Sequence, residues 1–169
     1  MHRIISLIIL LLVLSSCNNQ DKQMVIDDKT GKVILVGEAD RSDFELSEFS
    51  DWFTDQYENY EPDSGIVEKI KNGQDGLSIE IFFGTWCKDS RREVPRLYKI
   101  LDQAGFENDN IKLAGLDRKK KSPKKLEKNK NIELVPTFII NKDGNEIGRI
   151  VEFPIVTLEQ DLLSILLVK

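Results

Sequence analysis

The most constraining feature of this chain is an apolar run, Leu77–Phe83, that leads through a glycine and a threonine into Trp86-Cys87. The run predicts a buried strand, and Lys88–Ala104 predicts a helix that ends at Gly105. A cysteine at the start of a helix meets unpaired backbone N–H groups and the positive end of the helix dipole, and both favour the thiolate. Since the thiolate is the nucleophilic form, the pattern predicts a reactive thiol at Cys87.

The first residues are typical of a targeting segment. One arginine precedes an apolar stretch over residues 4–14 that is too short to span a bilayer, which needs about 20 residues. We interpret residues 1–16 as a secretory signal. The segment ends in Leu14-Ser15-Ser16-Cys17, which resembles the lipobox of bacterial lipoproteins. That resemblance implies a lipidated Cys17, a tether over residues 17–31 and a membrane-anchored protein of the bacterial cell envelope; the alternative is an ordinary signal with an incidental cysteine.

The cysteine and histidine content removes several classes of function. The chain has two cysteines and one histidine, and the histidine is His2, inside the predicted signal. This excludes Cys-His and Ser-His catalysis and a histidine-ligated metal site, and no bound cofactor is expected. If Cys17 is lipidated, Cys87 has no partner in its own chain, which indicates a free reactive thiol or an intermolecular bond. A net charge of −5 gives no indication of nucleic-acid binding.

Two segments between the signal and the central strand carry structural patterns. Residues 32–39 are β-branched and apolar and predict a strand. An acidic stretch over residues 38–63 follows, and its aromatic residues recur at helical spacing. The preferred interpretation is an amphipathic helix that packs these aromatics on the core; the alternative is an aromatic substrate-binding surface. The aromatics are Phe49, Trp52, Phe53, Tyr57 and Tyr60.

The remaining elements complete a mixed fold. They are a short helix at residues 66–71, a strand at 111–116, strands at 135–140 and 146–153 joined by an Asp143-Gly144 hairpin, and a helix at 157–168. This order predicts an α/β domain with a central sheet and helices on both faces. The final hairpin is expected to be antiparallel on an otherwise parallel core.

Residues 118–130 form a strongly basic segment. They carry eight basic residues and a single acid, Glu127, and Ser122-Pro123 predicts the start of a helix. The simplest interpretation is a solvated helix face. The alternative is contact with anionic lipid headgroups or an acidic partner.

Three separated motifs resemble the thioredoxin superfamily. Trp86-Cys87-Lys88-Asp89-Ser90 lies where that family has Trp-Cys-x-x-Cys, and Pro95 matches the proline of its active-site helix. Val135-Pro136-Thr137 matches the loop that holds its cis-proline. The resemblance covers about residues 66–169, within a domain expected over residues 32–169. It implies a thioredoxin-like fold, a central mixed sheet flanked by helices, with an N-terminal strand and helix as an extension. With Cys17, the chain looks like the bacterial membrane-anchored thioredoxin-like lipoproteins.

The resemblance also implies roles for the residues around Cys87. Cys87 is expected to be the nucleophile, Trp86 to shield its sulfur and Ser90 to hydrogen-bond its thiolate. Pro136, if cis, leaves the backbone of Val135 to pair with an extended substrate peptide; the alternative is an ordinary trans proline at the start of an edge strand. The other residues assigned to substrate binding are Thr137, Lys88 and Asp89.

Two departures from the family pattern bear on mechanism. Ser90 replaces the second cysteine, so a mixed disulfide would persist until an outside thiol resolved it. Many thioredoxins have a buried acid six residues before the cysteine, where this chain has Ile81. Glu80 is adjacent, but the alternation of a strand directs it to the other face.

These observations support two hypotheses of different kinds. The first is a monothiol oxidoreductase- or isomerase-like protein whose Cys87 forms a mixed disulfide with a cysteine-containing envelope protein or a small thiol. The second is a redox-inactive module of the same fold that binds an envelope protein or an extended peptide. The sequence leaves turnover and oligomeric state open.

Overall fold

The computed structural model describes residues 21–167. The strands are β1 Lys22–Ile26, β2 Val33–Ala39, β3 Leu77–Phe83, β4 Ile111–Gly115, β5 Thr137–Lys142 and β6 Asn145–Val151. The α-helices are α1 Ser50–Glu58, α2 Ser64–Gly73, α3 Lys88–Ala104 and α4 Leu158–Leu167, and short 3₁₀ helices span Arg41–Glu45 and Asn108–Asn110. No helix in this part of the chain has the length and apolarity to cross a membrane. The predicted signal and the predicted lipidation site at Cys17 lie outside the described residues.

The strands form one six-stranded sheet in the order β1-β2-β4-β3-β5-β6. Only β3 and β4 are parallel, and every other neighbouring pair is antiparallel. The predicted fold class, a central mixed sheet flanked by helices, is confirmed, but the expectation of an otherwise parallel core is wrong. A parallel pair needs a long crossover, which α3 supplies between β3 and β4, whereas the hairpins β1–β2 and β5–β6 add antiparallel strands at both edges.

One face of the sheet packs against all four α-helices. Alternate residues of β3 join buried residues of α2, α3 and α4 in a single apolar cluster, as the two-residue period of a strand requires, and partly buried aromatics of α1 pack against it. The aromatic stripe belongs to this cluster: Phe49 is buried, and the ring of Phe53 stacks on the ring of Phe44 at 4.7 Å. The stripe therefore packs on the core, as expected. The β3 residues on this face are Leu77, Ile79, Ile81 and Phe83.

The opposite face has a smaller apolar cluster covered by irregular chain. Phe82 and Ile139 are buried there beneath Leu126 and Ile132 of the connection between β4 and β5. The helix predicted from Ser122 is absent, so the expectation of α-helices on both faces is wrong. The connection instead makes short turns, because four of its residues have left-handed backbone angles that a helix excludes. Those residues are Lys120, Lys125, Asn129 and Asn131, with φ from 54° to 63°.

Strand β1 lies within the segment that was expected to be a tether. It pairs with β2 from Lys22↔Gly37 to Ile26↔Val33 at the edge of the sheet. Its side chains are mostly exposed, so it lacks the apolar alternation by which a half-buried strand is recognised. Backbone hydrogen bonds hold it in the sheet, so the ordered domain begins before residue 32.

The C-terminal elements follow the prediction closely. Asp143 and Gly144 have φ of 50° and 81°, as the predicted tight hairpin turn requires. Strand β6 ends at Val151, two residues earlier than expected. Helix α4 begins after Thr157, whose hydroxyl oxygen accepts a hydrogen bond from the Gln160 N–H at 3.2 Å, which is the predicted cap.

Candidate functional site

Cys87 is the N-cap residue of α3. Its backbone is extended, and its carbonyl accepts the first hydrogen bond of the helix from the Arg91 N–H at 3.1 Å. Its own N–H donates to the Gly84 carbonyl at 2.8 Å, which closes a tight turn after β3. The side chain is half-buried and the thiol is free. The structure thus places the sulfur at the strand-to-helix junction that the sequence predicts.

The turn before Cys87 is held from two sides. The buried hydroxyl oxygen of Thr85 accepts a hydrogen bond from the Leu35 N–H of β2 at 3.1 Å. The carbonyl of Thr85 accepts another from Arg91 Nε at 2.5 Å. A Cβ at Gly84 would stand 2.7 Å from the ring of Trp86, so only glycine lets the indole lie against this backbone. The position of Cys87 is therefore fixed by both the sheet and the helix.

The loop before β5 lies directly against the thiol. The Val135–Pro136 peptide bond is cis, as expected. The Cys87 thiol donates a hydrogen bond to the Val135 carbonyl at 3.1 Å. The Val135 carbonyl therefore already has a hydrogen-bond partner in Cys87, although the sequence predicts a Val135 backbone that is free to pair with a substrate.

Two residues assigned to the site are buried and hydrogen-bonded elsewhere. The Thr137 hydroxyl donates to the Leu134 carbonyl at 2.8 Å, so its side chain closes the loop and does not face a substrate. Ser90 lies in the first turn of α3, and its hydroxyl oxygen accepts from the Gly84 N–H at 3.1 Å. Among residues 21–167 no hydrogen bond joins Ser90 to Cys87. Ser90 therefore supports the turn that carries the thiol.

The two residues between Cys87 and Ser90 differ in exposure. Lys88 is exposed at the start of α3. Asp89 is half-buried and pairs with Arg92 at 2.9 Å, one turn further along the helix. Of this pair, Lys88 alone presents a side chain fully to solvent beside the sulfur.

Sequence reasoning missed an arginine that lies against Trp86. The guanidinium of Arg118 is centred 4.9 Å from the Trp86 ring centroid and makes a two-pronged ion pair with Asp27 at 2.6 and 2.8 Å. The indole N–H of Trp86 donates to the Leu116 carbonyl at 2.8 Å. These contacts connect the turn after β1 with the residue next to the thiol. No sequence signal pairs Asp27 with Arg118, because they are far apart in the chain and Asp27 lies in the presumed tether.

Charge reinforces this arrangement. Hydrogen bonds from Arg118 and Thr30 hold the pKa of Asp27 well below its usual range. The pKa of Arg118 is raised, first by its bond to Asp27 and, as a smaller contribution, by the charge of Cys87. Arg118 is thus a permanent cation that lies against Trp86, the residue next to the thiol.

No carboxylate lies beneath the thiol in the position that many thioredoxins use. Ile81 is fully buried on the helix-covered face, and Glu80 lies on the other face, as strand alternation predicts. Glu80 accepts hydrogen bonds from Lys130 at 2.7 Å and from Asn141 at 3.3 Å. Within residues 21–167 there is no cluster of three or more metal-binding side chains.

Comparison with known proteins agrees with this fold. A family model described as Thioredoxin matches residues 49–161. A protein of unknown function from Pseudomonas aeruginosa is similar in structure, with a TM-score of 0.56 and 18% identity over 76% of this chain and 91% of that one. An HIV epitope-scaffold has a TM-score of 0.51 and 19% identity over 69% of this chain and 73% of its own. Mitochondrial thioredoxin 3 of Saccharomyces cerevisiae is 25% identical over 50% of this chain and 76% of its own, with a TM-score of 0.34. No curated protein sequence matches significantly.

Proposed function

The chain belongs to the thioredoxin family, and we propose that its Cys87 performs thiol–disulfide exchange as a single thiol. The observation that carries the proposal is the position of the sulfur. Cys87 caps α3, lies 3.1 Å from the Val135 carbonyl and is flanked by the Trp86–Arg118 stack. A helix N-terminus and a nearby cation both stabilise a thiolate, which is the attacking species in exchange.

The reaction is an exchange in two steps. The Cys87 thiol loses its proton to solvent, and the thiolate attacks one sulfur of a disulfide R–S–S–R′. A Cys87–S–S–R bond forms while the original S–S bond breaks, and R′–S⁻ leaves and takes up a proton. Because Ser90 replaces a second cysteine, a separate thiol R″–SH must then attack the mixed disulfide. That step releases R–S–S–R″ and regenerates the Cys87 thiol.

Binding of an extended substrate would activate the thiol. In the free protein the Cys87 S–H donates to the Val135 carbonyl at 3.1 Å, and this hydrogen bond is lost when the thiolate forms. A substrate N–H that pairs with the same carbonyl displaces the thiol. Binding beside Pro136 and release of the thiol proton are then coupled, so that a bound partner adds to the effect of the helix N-terminus and Arg118.

The proposed setting is the bacterial cell envelope. The apolar segment at residues 4–14 and the Leu14–Cys17 pattern support export and lipid anchoring at Cys17. The partner is then a cysteine-containing envelope protein or a small thiol. We expect Cys17→Ser to move the protein from the membrane fraction to the soluble fraction or to block its maturation, with Cys87→Ser as the matched control. A protein that stays in the membrane at its mature mass after Cys17→Ser would contradict anchoring.

The exchange reaction is tested with the full chain carrying Cys17→Ser, kept in a mild detergent, so that Cys87 is its only thiol. Reaction with 4,4′-dithiodipyridine releases thiopyridone, and its absorbance gives the rate at each pH. We expect one adduct by mass spectrometry, none after Cys87→Ser, and a half-maximal rate below about pH 8.5, where a free cysteine titrates. A midpoint at or above that pH, or reaction only after unfolding, would contradict the proposal.

Arg118→Gln sharpens the test. Removing the cation beside Trp86 should move the half-maximal rate to higher pH by roughly one unit or less, because an opposite charge favours the thiolate. Lys119→Gln makes the same change of charge at the exposed neighbouring position and should leave the profile unchanged. Equal shifts in both variants would mean that Arg118 acts only through the overall charge of the protein.

A second candidate function is supported by the surface next to Pro136. The Glu152 N–H donates to the Pro136 carbonyl at 2.7 Å, which brings the chain after β6 to the loop before β5. Apolar side chains are exposed here: Leu134 is 41% exposed and Phe153 is 58% exposed. Such a surface suits an extended peptide held without covalent reaction. Peptide capture that is equal in Cys87→Ser and in the parent protein would support this function over exchange.

A further inference from the structure

A cavity of about 330 Å³ lies between α1 and the first half of α3. Its two walls differ in charge. The wall from α1 carries an indole, an amide and a carboxylate, and the wall from α3 carries only cations. Four basic side chains and one acid line it. The lining residues are Trp52, Asp55, Gln56, Lys88, Arg91, Arg92 and Arg96.

Most of the positive charge in this cavity has no counter-ion. Arg92 pairs with Asp89 and Glu93. Within residues 21–167, none of the other three cations, Lys88, Arg91 and Arg96, makes an ion pair with a carboxylate. The cavity therefore has a surplus of positive charge beside the helix that carries the thiol.

The polar contacts already present do not cancel this surplus. Arg96 donates from Nη2 to the neutral Gln56 amide at 2.9 Å. The one acid of the cavity, Asp55, accepts hydrogen bonds from the side-chain amides of Gln56 and Asn59 on its own helix. Among the described residues its carboxylate makes no ion pair with the arginines of the cavity.

Two of the lining residues each have a buried donor that lacks an acceptor. Trp52 Nε1 and Arg96 Nε are both inaccessible to water and hydrogen-bond to nothing among the described residues. Buried N–H groups are nearly always paired in folded proteins, so two unpaired donors, one on α1 and one on α3, indicate that an acceptor is missing. Guanidinium groups match the oxygens of carboxylates and phosphates, and an indole N–H only donates.

We propose that this cavity binds an oxyanion, carboxylate or phosphate. Resting on the exchange function proposed above, we further propose that a small anionic disulfide or thiol carries this oxyanion to Cys87. Lys88 follows the thiol directly, and the Arg91 N–H bonds the Cys87 carbonyl at 3.1 Å, so one end of the cavity lies at the first turn of α3, next to Cys87. The substrate class is an acidic low-molecular-weight disulfide, recognised by charge outside the peptide-binding loop.

The anion site is tested without any redox step. Full-length protein carrying Cys17→Ser and Cys87→Ser is titrated with inorganic phosphate while its two indole N–H resonances are followed by NMR. We expect the Trp52 signal to shift and saturate. The Trp86 signal should stay in place, because its N–H is bonded to the Leu116 carbonyl. Absence of a saturable Trp52 shift would overturn the site.

Two variants and one control locate the anion. Arg96→Gln should weaken phosphate binding at least about tenfold, and Lys88→Gln should weaken it less. Lys88 is exposed, so Lys88→Gln is expected to fold normally and still tests the site if Arg96→Gln impairs folding. Lys99→Gln removes the same charge from α3 outside the cavity and should have no effect. An equal loss in all three variants would mean that phosphate responds only to net charge.

The link to Cys87 is tested by comparing two disulfide reagents on the Cys17→Ser protein. We expect Lys88→Gln and Arg96→Gln to slow reaction with anionic 5,5′-dithiobis(2-nitrobenzoate) about tenfold more than reaction with neutral 4,4′-dithiodipyridine, and phosphate to inhibit only the anionic reagent. Phosphate binding with no such selectivity would overturn the substrate assignment and leave a site for free anions. Phosphate binding with no reaction of either reagent would overturn the exchange function and leave the anion site standing.

Discussion

The two faces of the sheet are covered by different kinds of structure. The helix-covered face combines all four α-helices and alternate strand residues in a single large apolar cluster. The other face buries only a few apolar residues under an irregular basic connection, and Cys87 packs at its margin. Apolar burial is the main source of folding free energy, so the first face supplies most of the stability. The thin cover of the second face leaves the thiol half-exposed.

Phe82 and Phe83 make the sharpest comparison of the faces. They are consecutive and both buried, and they point to opposite sides of β3. Phe83→Ala should destabilise the protein by about 3–5 kcal/mol, because rigid helices cannot close the cavity that it leaves. Phe82→Ala should cost less, by about 1 kcal/mol or more, because irregular chain relaxes into the space more readily. Urea unfolding measures both, and equal losses would show that the two faces are equally rigid.

The connection between β4 and β5, which covers the second face, is held together by one acid, Glu127. The Ser122 hydroxyl donates to Glu127 at 2.8 Å, and its oxygen accepts from the Leu126 N–H at 2.8 Å. Partial burial raises the pKa of Glu127, but the bonds from Ser122 and the charge of Lys121 outweigh it and the net pKa is lowered. Glu127 is therefore ionised at neutral pH and ties the connection together.

Glu127→Ala should open this cover locally at a cost of about 1–3 kcal/mol, because buried donors of Ser122 lose their acceptor. Hydrogen exchange should accelerate in residues 122–128 while the helix-covered core stays protected. Alkylation of Cys87 should become faster as Leu126 loosens. Glu133→Ala, at an exposed position of the same connection, is the control and should change neither quantity. Uniform acceleration across the sheet would contradict local opening.

The smallest expected effect is a pH dependence at the edge of the sheet. The folded-state pKa of Asp27 is lowered by Arg118, so this ion pair contributes stability above the unfolded pKa of about 3.9. That contribution is lost as the pH falls through the lower folded value. The difference in stability between the parent protein and Asp27→Asn should be constant above about pH 5 and shrink below about pH 4. Thermal melts between pH 2 and 7 measure it, and a difference that grows on acidification would contradict the pairing.

The sequence predicted best where local and global signals agree. Strand β3 and helix α3 have the bounds expected for them, because an apolar run and an amphipathic period are bracketed by Gly84 and Gly105. The position of Cys87 follows from these elements. The predicted cis peptide at Pro136 is likewise present, because the flanking motif was specific.

The rest depended on contacts between distant residues. Strand β1 has an exposed pattern and exists through its pairing with β2. The basic connection was assigned as a helix from its first turn alone, although its later residues take left-handed angles. The Asp27–Arg118 pair and the cavity between α1 and α3 join parts of the chain that only the tertiary fold brings together. These are the parts of the site that sequence reasoning missed.

The β1–β2 hairpin also determines how the site responds to mechanical load. A pull along the chain from the N-terminal side enters the described residues at Asp21, whose carbonyl accepts a hydrogen bond from the Glu38 N–H at 2.8 Å at the open end of the hairpin. In that direction the residue pairs between β1 and β2 separate one after another, from Lys22↔Gly37 to Ile26↔Val33. Asp27 follows the last of these pairs in the chain, so the Asp27–Arg118 ion pair beside Trp86 is loaded only after β1 has separated from β2. Strand β1 therefore separates from β2 before the contacts around Cys87 are disturbed.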